Sequence, residues 1–72
     1  MADFKYEIKK QIEVLSEGKN GWTKEVNLVS WNGKPAKLDI RDWNHEEGKM
    51  GKGITLSYDE AQLLKDCLLY TS

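Results

Sequence analysis

The sequence predicts an α+β domain: a curved four-stranded antiparallel sheet followed by one C-terminal helix, assembled as a homodimer. Residues 4–15 alternate between apolar and polar side chains, which is the period of a β-strand. Three further strand-like segments follow at 22–31, 37–43 and 52–55, separated by polar loops that contain glycine. A capping motif at Ser57 then opens an apolar pattern with helical spacing. The whole chain of 72 residues is expected to form one domain.

The first predicted strand is long for a small domain. Only Lys10 interrupts its apolar side, which carries Phe4, Tyr6, Ile8, Ile12 and Val14. At about 3.3 Å per residue, such a strand would span roughly 40 Å if fully extended. We therefore expect a bend or bulge near Lys9–Lys10 that curves the sheet.

The register of the second and third strands follows from their apolar residues. Asn32-Gly33 normally forms a two-residue hairpin loop. That loop would place Leu28 opposite Lys37 and join an apolar face to a polar one, which a half-buried sheet does not tolerate. One more residue in the loop places Leu28 opposite Leu38. We therefore predict a three-residue loop with a bulge, or an equivalent odd offset, with Gly33 at positive φ.

The third strand carries an unusual polar face. Every second residue from Lys37 onwards points to the same side, and Trp31 joins this side in the predicted register. The side then carries Trp31, Lys37, Arg41 and Trp43. Exposed aromatic rings beside cations bind single-stranded nucleic acid, because bases stack on the rings and phosphates contact the cations. Glu25 is expected to hold Arg41 across the strands.

Lysines in or near the loops extend this candidate site. Lys34, Lys49 and Lys52 are individually typical of solvated surface, but beside a nucleic-acid groove they become phosphate contacts. Gly51-Lys52-Gly53 resembles a fragment of a phosphate loop, although the remainder of that pattern is absent. We interpret the two glycines as backbone that closely approaches a ligand or a neighbouring strand.

A helix is predicted from the capping box Ser57-Tyr58-Asp59-Glu60 to about Tyr70. Its apolar stripe consists of Ala61, Leu64, Cys67 and Leu68, widened by Leu63 and Tyr70. Cys67 in that stripe is interpreted as a buried small apolar residue. The stripe exceeds what a two-layer domain must cover, so Leu64, Cys67 and Leu68 are predicted to form a dimer interface. A second subunit would also stabilise so small a domain.

Composition argues against several classes of protein. His45 and Cys67 are too few for a structural zinc site, and no nucleophile–base pair is present, so we expect neither a metal, a cofactor nor an enzyme. His45 is expected to be solvated. One cysteine, no signal-like segment and no apolar run of membrane-spanning length predict a cytosolic protein. The net charge of −1 is low for a nucleic-acid-binding protein, but residues 31–56 are slightly basic.

Three motifs in this order resemble the positive-cofactor-four transcriptional coactivators, and most closely their small bacterial, YdbC-like branch. The motifs are Trp31-Asn32-Gly33-Lys34, Asp39-Ile40-Arg41-Asp42-Trp43 and Gly51-Lys52-Gly53-Ile54-Thr55-Leu56, followed by the capped helix. The family pattern is an aromatic-x-Gly-Lys turn, a strand Asp-Ile-Arg-Glu-Tyr, a Lys-Gly-Ile-Ser-Leu segment and a C-terminal helix. The similarity covers about residues 25–69, and nothing is carried over for residues 1–20.

The resemblance implies a homodimer that binds single-stranded DNA along its sheets, in transcription, replication or repair. The implied contact residues are Trp31, Lys34, Lys37, Arg41, Trp43 and Lys52. Asn32 stands where the family usually has a lysine, and Lys52 lacks the second basic neighbour often found there. These departures concern affinity more than fold.

Two alternatives of other classes stay open. The chain could be a protein-interaction module that contacts a polymerase or another regulator, with Trp31 and Trp43 in the contact patch. It could also be an RNA chaperone, because stacking alone does not distinguish ribose from deoxyribose. The expected partners are therefore single-stranded DNA and a second copy of the chain, with RNA and transcription or repair proteins as alternatives. The expected location is the bacterial cytosol, in association with the nucleoid and not with a membrane.

Overall fold

The computed structural model describes residues 5–71 and confirms the four-stranded antiparallel sheet with one C-terminal helix. The elements are β1 (Tyr6–Glu17), a 3-10 turn (Lys19–Gly21), β2 (Thr23–Trp31), β3 (Lys37–Asn44), β4 (Lys49–Leu56) and α1 (Tyr58–Thr71). The strand order is β1-β2-β3-β4, so each strand pairs with its neighbour in the sequence. Phe4, assigned to the first strand, lies outside the described residues.

The first strand bends where the sequence predicts, and at two further places. Its pairing with β2 shifts between Ile8 and Lys10, which confirms the bulge near Lys9. Further shifts follow between Gln11 and Glu13 and between Val14 and Ser16. Each bulge increases the twist of the strand and interrupts the alternation of faces. The predicted continuous apolar side is therefore wrong, and Ile12 and Val14 are 46% and 47% exposed.

The register of β2 and β3 is the odd offset that the apolar pattern predicts. Leu28 pairs with Leu38, and Val26 pairs with Ile40. The connection is longer than a three-residue loop, because β3 begins only at Lys37.

Asn32-Gly33 forms a tight turn within this connection. The two residues have φ of 52° and 77°, and the Lys34 amide donates to the Trp31 carbonyl at 3.0 Å. Asn32 also contacts the residue before β1, because its backbone N–H donates to the Lys5 carbonyl at 2.8 Å. Its side-chain oxygen accepts from the Lys5 amide at 3.0 Å. The turn therefore aligns β1 beside β2 as well as reversing the chain.

The fourth strand is longer than predicted, and β3 joins it through a four-residue loop, 45–48. Its pairing shifts between Arg41 and Trp43. Gly53 pairs with Arg41, and a Cβ at Gly53 would overlap the Cβ of Arg41 and the carbonyl of Ile40. Only glycine fits this close approach, which agrees with the interpretation of this segment from the sequence.

The aromatic face is the more buried face of the sheet, although the sequence predicted exposed rings on it. The aromatic face carries five of the seven buried residues of the described chain, namely Glu25, Asn27, Val29, Asp39 and Trp43, whereas Ser30 and Asn44 have the opposite strand parity. The aliphatic face is only half-buried or exposed, and it carries Val26, Leu28, Leu38, Ile40 and Ile54. The core of the single chain therefore lies among rings and hydrogen-bonded polar groups, while much aliphatic surface is left uncovered.

The helix begins with the predicted capping box. The Ser57 amide donates to Glu60 Oε1 at 2.8 Å, and the Glu60 amide donates to Ser57 Oγ at 3.2 Å. Ala61 and Leu64 are half-buried, whereas Cys67 and Leu68 are exposed. The expectation that Cys67 is buried is wrong for the single chain, in which the half-buried residues of α1 lie in its first half. Among residues 5–71 there is no helix with the length and apolar character needed to cross a membrane.

Candidate nucleic-acid interface

A cleft of about 390 Å³ opens on the aromatic face. Its lining residues are Trp31, Lys34, Pro35, Lys37, Arg41 and Thr55. The turn after β2 supplies one side, and the paired strands β3 and β4 supply the other. Four of the six residues predicted to contact DNA therefore meet in one place, and Lys34 and Lys37 among them are exposed.

Arg41 is fixed at the floor of this cleft. Its Nε donates to Asp39 Oδ1 at 2.7 Å and its Nη2 donates to Asp39 Oδ2 at 2.9 Å. Its Nη1 donates to the Gly51 carbonyl at 3.3 Å, and its guanidinium carbon lies 4.9 Å from the centre of the Trp31 ring. The guanidinium therefore supports the indole through a cation–π contact.

The predicted pairing of Arg41 with Glu25 is wrong. Asp39 precedes Arg41 by two residues on the same strand, so both side chains lie on the same face. The Asp39 carboxylate is fully buried and also accepts from Thr55 Oγ1 at 2.8 Å. Its charge is thus compensated by a bidentate arginine and a hydroxyl, which is what a buried carboxylate requires.

A row of aromatic rings continues from the cleft across the face. The Tyr6 ring centre lies 5.9 Å from that of Trp31 and 5.3 Å from that of Trp43. His45 stacks on Trp43 with a centre distance of 5.6 Å and an interplanar angle of 7°. Tyr6 is 40% exposed, so it presents an accessible ring beside Trp31. Sequence reasoning assigned Tyr6 to the apolar side of β1. Its place in this row follows from its pairing with Trp31 in the structure, which no residue pattern specifies.

Trp43 is not the open platform that the strand pattern suggested. Trp43 is only 1% exposed, because Tyr6 and His45 pack against its ring. The expected exposure of Trp43 is therefore wrong, and a base cannot reach the ring while these neighbours stay in place. Trp43 supports the row from beneath.

Lys52 lies outside the cleft that contains Trp31, Lys34 and Lys37. It lines a second cleft along β3 and β4, whose other lining residues are Lys24, Ile40, Arg41, Asp42, Gly53 and Ile54. Arg41 is the one predicted contact that lines both clefts. Two residues, Gly51 and Lys52, occupy the bulge opposite Asp42. The structure therefore does not bring Lys52 to the cleft beside Trp31.

Comparison with known proteins agrees with this arrangement. The family model described as Transcriptional Coactivator p15 (PC4) matches residues 19–67, which is more than half of the chain. The chain belongs to the PC4 family. An uncharacterized protein of Treponema pallidum (strain Nichols) is 47% identical over 66 residues, covering 92% of this chain and 78% of that protein.

Membership of the PC4 family confirms the resemblance found in the three motifs and supports a DNA-binding, coactivator-type role. The matched residues include every residue that lines the cleft. They exclude the whole of β1, so Tyr6 is a feature of this PC4-family chain that the family match does not cover.

Beneath the far end of the aromatic row lies a buried carboxylate. Glu25 is 3% exposed, and its oxygens accept from Thr23 Oγ1 at 2.5 Å and Asn27 Nδ2 at 3.0 Å. His45 Nε2 lies 2.9 Å from Glu25 Oε2. Burial alone raises the pKa of Glu25, but the three hydrogen bonds and the charge of His45 outweigh it, so the pKa is lowered.

This lowered pKa predicts a pH-dependent stability. A carboxylate whose pKa is lower in the folded chain than its ordinary value of about 4.3 stabilises the fold above that value, and the contribution is lost as pH falls through the folded pKa. We expect Glu25→Gln to cost about 1–2 kcal/mol at pH 7, and this deficit to shrink below about pH 4. Urea unfolding between pH 3 and pH 7 measures both the deficit and its change with pH. Glu17→Gln, an exposed change on β1, should reproduce neither effect, and a deficit at Glu25 that is constant with pH would contradict the assignment.

Proposed function

We propose that this PC4-family chain binds single-stranded DNA on the aromatic face, with little dependence on sequence. The observation that carries the proposal is the cleft, where the Trp31 ring lies within one lining set with Lys34, Lys37 and Arg41. Stacking of a base on an aromatic side chain contributes about 1–3 kcal/mol, and phosphate contacts add a salt-dependent term. The cleft combines both kinds of group.

The residues of the cleft have different parts in this binding. Trp31 and the neighbouring Tyr6 offer stacking surfaces. Lys34 and Lys37, exposed at the rim, neutralise phosphates, which sets affinity and not sequence preference. Arg41 supports Trp31 through the cation–π contact, while Asp39 and the Gly51 carbonyl bind three of its five N–H groups.

The functional unit in this proposal is a homodimer. Apolar residues on α1 are largely exposed, with Leu63 at 70%, Leu68 at 60% and Leu69 at 66%. The aliphatic face of the sheet adds further uncovered area. Surfaces of this kind normally become buried against a partner, and a second copy of the chain is the simplest one. The predicted interface residues Leu64, Cys67 and Leu68 belong to this surface, and sedimentation equilibrium of Leu68→Asp against the parent chain tests it.

The direct test of DNA binding is a fluorescence-anisotropy titration with labelled oligo-dT of about 20 nucleotides. Duplex DNA and oligo-U of the same length are titrated for comparison, and each titration is run at low and at high salt. Binding that favours the single strand and weakens steeply with salt supports the proposal. Equal binding of oligo-U would extend it to RNA, and an absence of binding at low salt would overturn it.

Trp31→Ala is expected to weaken oligo-dT binding by about 1–3 kcal/mol, roughly 5- to 150-fold, because one stacking surface is removed. Trp31→Phe keeps a ring at the same position and should retain most of the affinity. The same titration measures both variants, with circular dichroism to confirm that each is folded. If the alanine and phenylalanine variants lose affinity equally, Trp31 acts by a route other than stacking.

A second candidate function is a protein-interaction module, favoured by the exposed edge of β1. Ile12, Val14 and Leu15 are 46%, 47% and 54% exposed on this outermost strand. Edge strands can accept a further strand from a partner, although the bulges of β1 oppose regular pairing. Failure of the DNA titration, together with a partner whose binding is abolished by Val14→Lys, would favour this function.

A further inference from the structure

The far end of the aromatic row presents a second ring to solvent. His45 lies parallel to the buried Trp43 at 7°, and 47% of its side chain is exposed. Tyr6, which contacts both Trp31 and Trp43, connects this ring to the cleft. Of the rings at this end of the row, His45 is therefore the one that a ligand can reach.

The position of His45 is fixed more firmly than that of an ordinary loop residue. Its Nε2 contacts Glu25, which Thr23 and Asn27 hold in place at the base of the face. Trp43 supports the ring from one side. A solvated histidine needs none of these contacts, so the expectation that His45 is simply solvated does not account for its surroundings.

The loop that carries His45 is anchored by the residue before it. Asn44 is fully buried, and its Nδ2 donates to the Asn20 carbonyl at 3.0 Å. Its Oδ1 accepts from the Glu47 amide at 3.1 Å, which closes the loop on itself. The ring therefore belongs to a preorganised surface, and ordering it on binding costs little conformational entropy.

We propose that a nucleobase of the bound single strand stacks on the exposed side of His45, at a second subsite separated from the Trp31 cleft by Tyr6 and the buried Trp43. This inference rests on the proposed single-stranded DNA binding and adds a subsite to it. Histidine is among the rings on which unpaired bases stack. An imidazole backed by a parallel indole presents a flat, supported surface, as stacking requires. Trp43 thus contributes indirectly, as the layer beneath the histidine.

Three substitutions at His45 separate stacking from support of the fold. His45→Ala removes the ring and should weaken oligo-dT binding at least about fivefold, the lower bound for one stacked base. His45→Gln keeps a hydrogen-bond donor for Glu25 without a ring and should lose as much. His45→Phe keeps a ring without the donor and should stay within about twofold of the parent chain. Glu47→Gln, in the same loop, is the matched control and should also stay within about twofold.

The variants are titrated with oligo-dT of about 20 nucleotides after their thermal unfolding has been compared. A second readout uses the parent chain, where stacking of a base should shift the His45 ring-proton NMR signals upfield on addition of oligo-dT. Unchanged affinity in His45→Gln, or equal loss in His45→Phe and His45→Ala, would overturn the proposal. If either outcome occurs while Trp31→Ala still weakens binding, only the His45 subsite is rejected. If the parent chain does not bind oligo-dT, the proposed function itself is rejected.

Discussion

Trp43→Ala is expected to leave the protein largely unfolded at 25 °C. The Trp43 side chain is the largest fully buried one in the described chain and contacts both Tyr6 and His45. Truncation of a buried tryptophan to alanine typically costs about 3–5 kcal/mol, from lost burial and the cavity left behind. A domain of this size seldom has more than about 3–5 kcal/mol of stability in total. The expected loss therefore matches the whole stability of the fold.

Trp43→Phe is the matched control for this prediction. It keeps a ring between Tyr6 and His45 and removes the indole Nε1, which is buried without a hydrogen-bond partner among residues 5–71. Such an unpaired donor costs about 1–3 kcal/mol, so its removal offsets part of the lost burial. Urea unfolding should find the phenylalanine variant folded and the alanine variant mostly unfolded. If Trp43→Ala unfolds at the same urea concentration as the parent chain, Trp43 is not the core of this face.

The burial of Trp43 shows what alternation in a sequence can and cannot determine. The period of two correctly places Trp31, Lys37, Arg41 and Trp43 on one face, and matching of the aliphatic residues fixes the register of β2 and β3. It does not reveal what covers that face. Trp43 is covered by Tyr6, and the place of Tyr6 depends on bulges in β1 that no residue pattern specifies beyond the first.

The partner of Arg41 illustrates a second limit. Glu25 is its cross-strand neighbour and Asp39 precedes it by two residues, so the sequence places two carboxylates on its face. Which of the two carboxylates pairs with Arg41 depends on the hydrogen bonds that each carboxylate makes to other side chains. Thr23, Asn27 and His45 bind Glu25, which leaves Asp39 for the arginine. His45 lies 20 residues from Glu25, and a contact at that separation becomes visible only when β2, β3 and the 45–48 loop are in place.

Asp39→Asn is expected to lower the free energy of unfolding by about 3 kcal/mol, the lower end of the usual cost of breaking a buried ion pair. The lower end applies because the Arg41 side chain is 15% exposed and keeps its bond to the Gly51 carbonyl. The uncompensated guanidinium then becomes the main source of destabilisation. Removing it as well, in Asp39→Asn/Arg41→Met, should recover part of the loss.

The double-mutant cycle also separates stability from binding. Arg41→Met alone leaves the Asp39 carboxylate buried with Thr55 as its remaining side-chain partner, so it should destabilise the fold about as much as Asp39→Asn. The double variant should be more stable than either single variant. It should still bind oligo-dT less tightly than the parent chain, because Trp31 has lost the guanidinium beneath it. Urea unfolding measures the first effect, at one protein concentration for all variants because the stability of a dimer depends on concentration. Anisotropy measures the second effect. If the two single losses simply add in the double variant, the bidentate contact between Asp39 and Arg41 contributes nothing to the fold. If the double variant binds as tightly as the parent chain, Trp31 holds its position without Arg41.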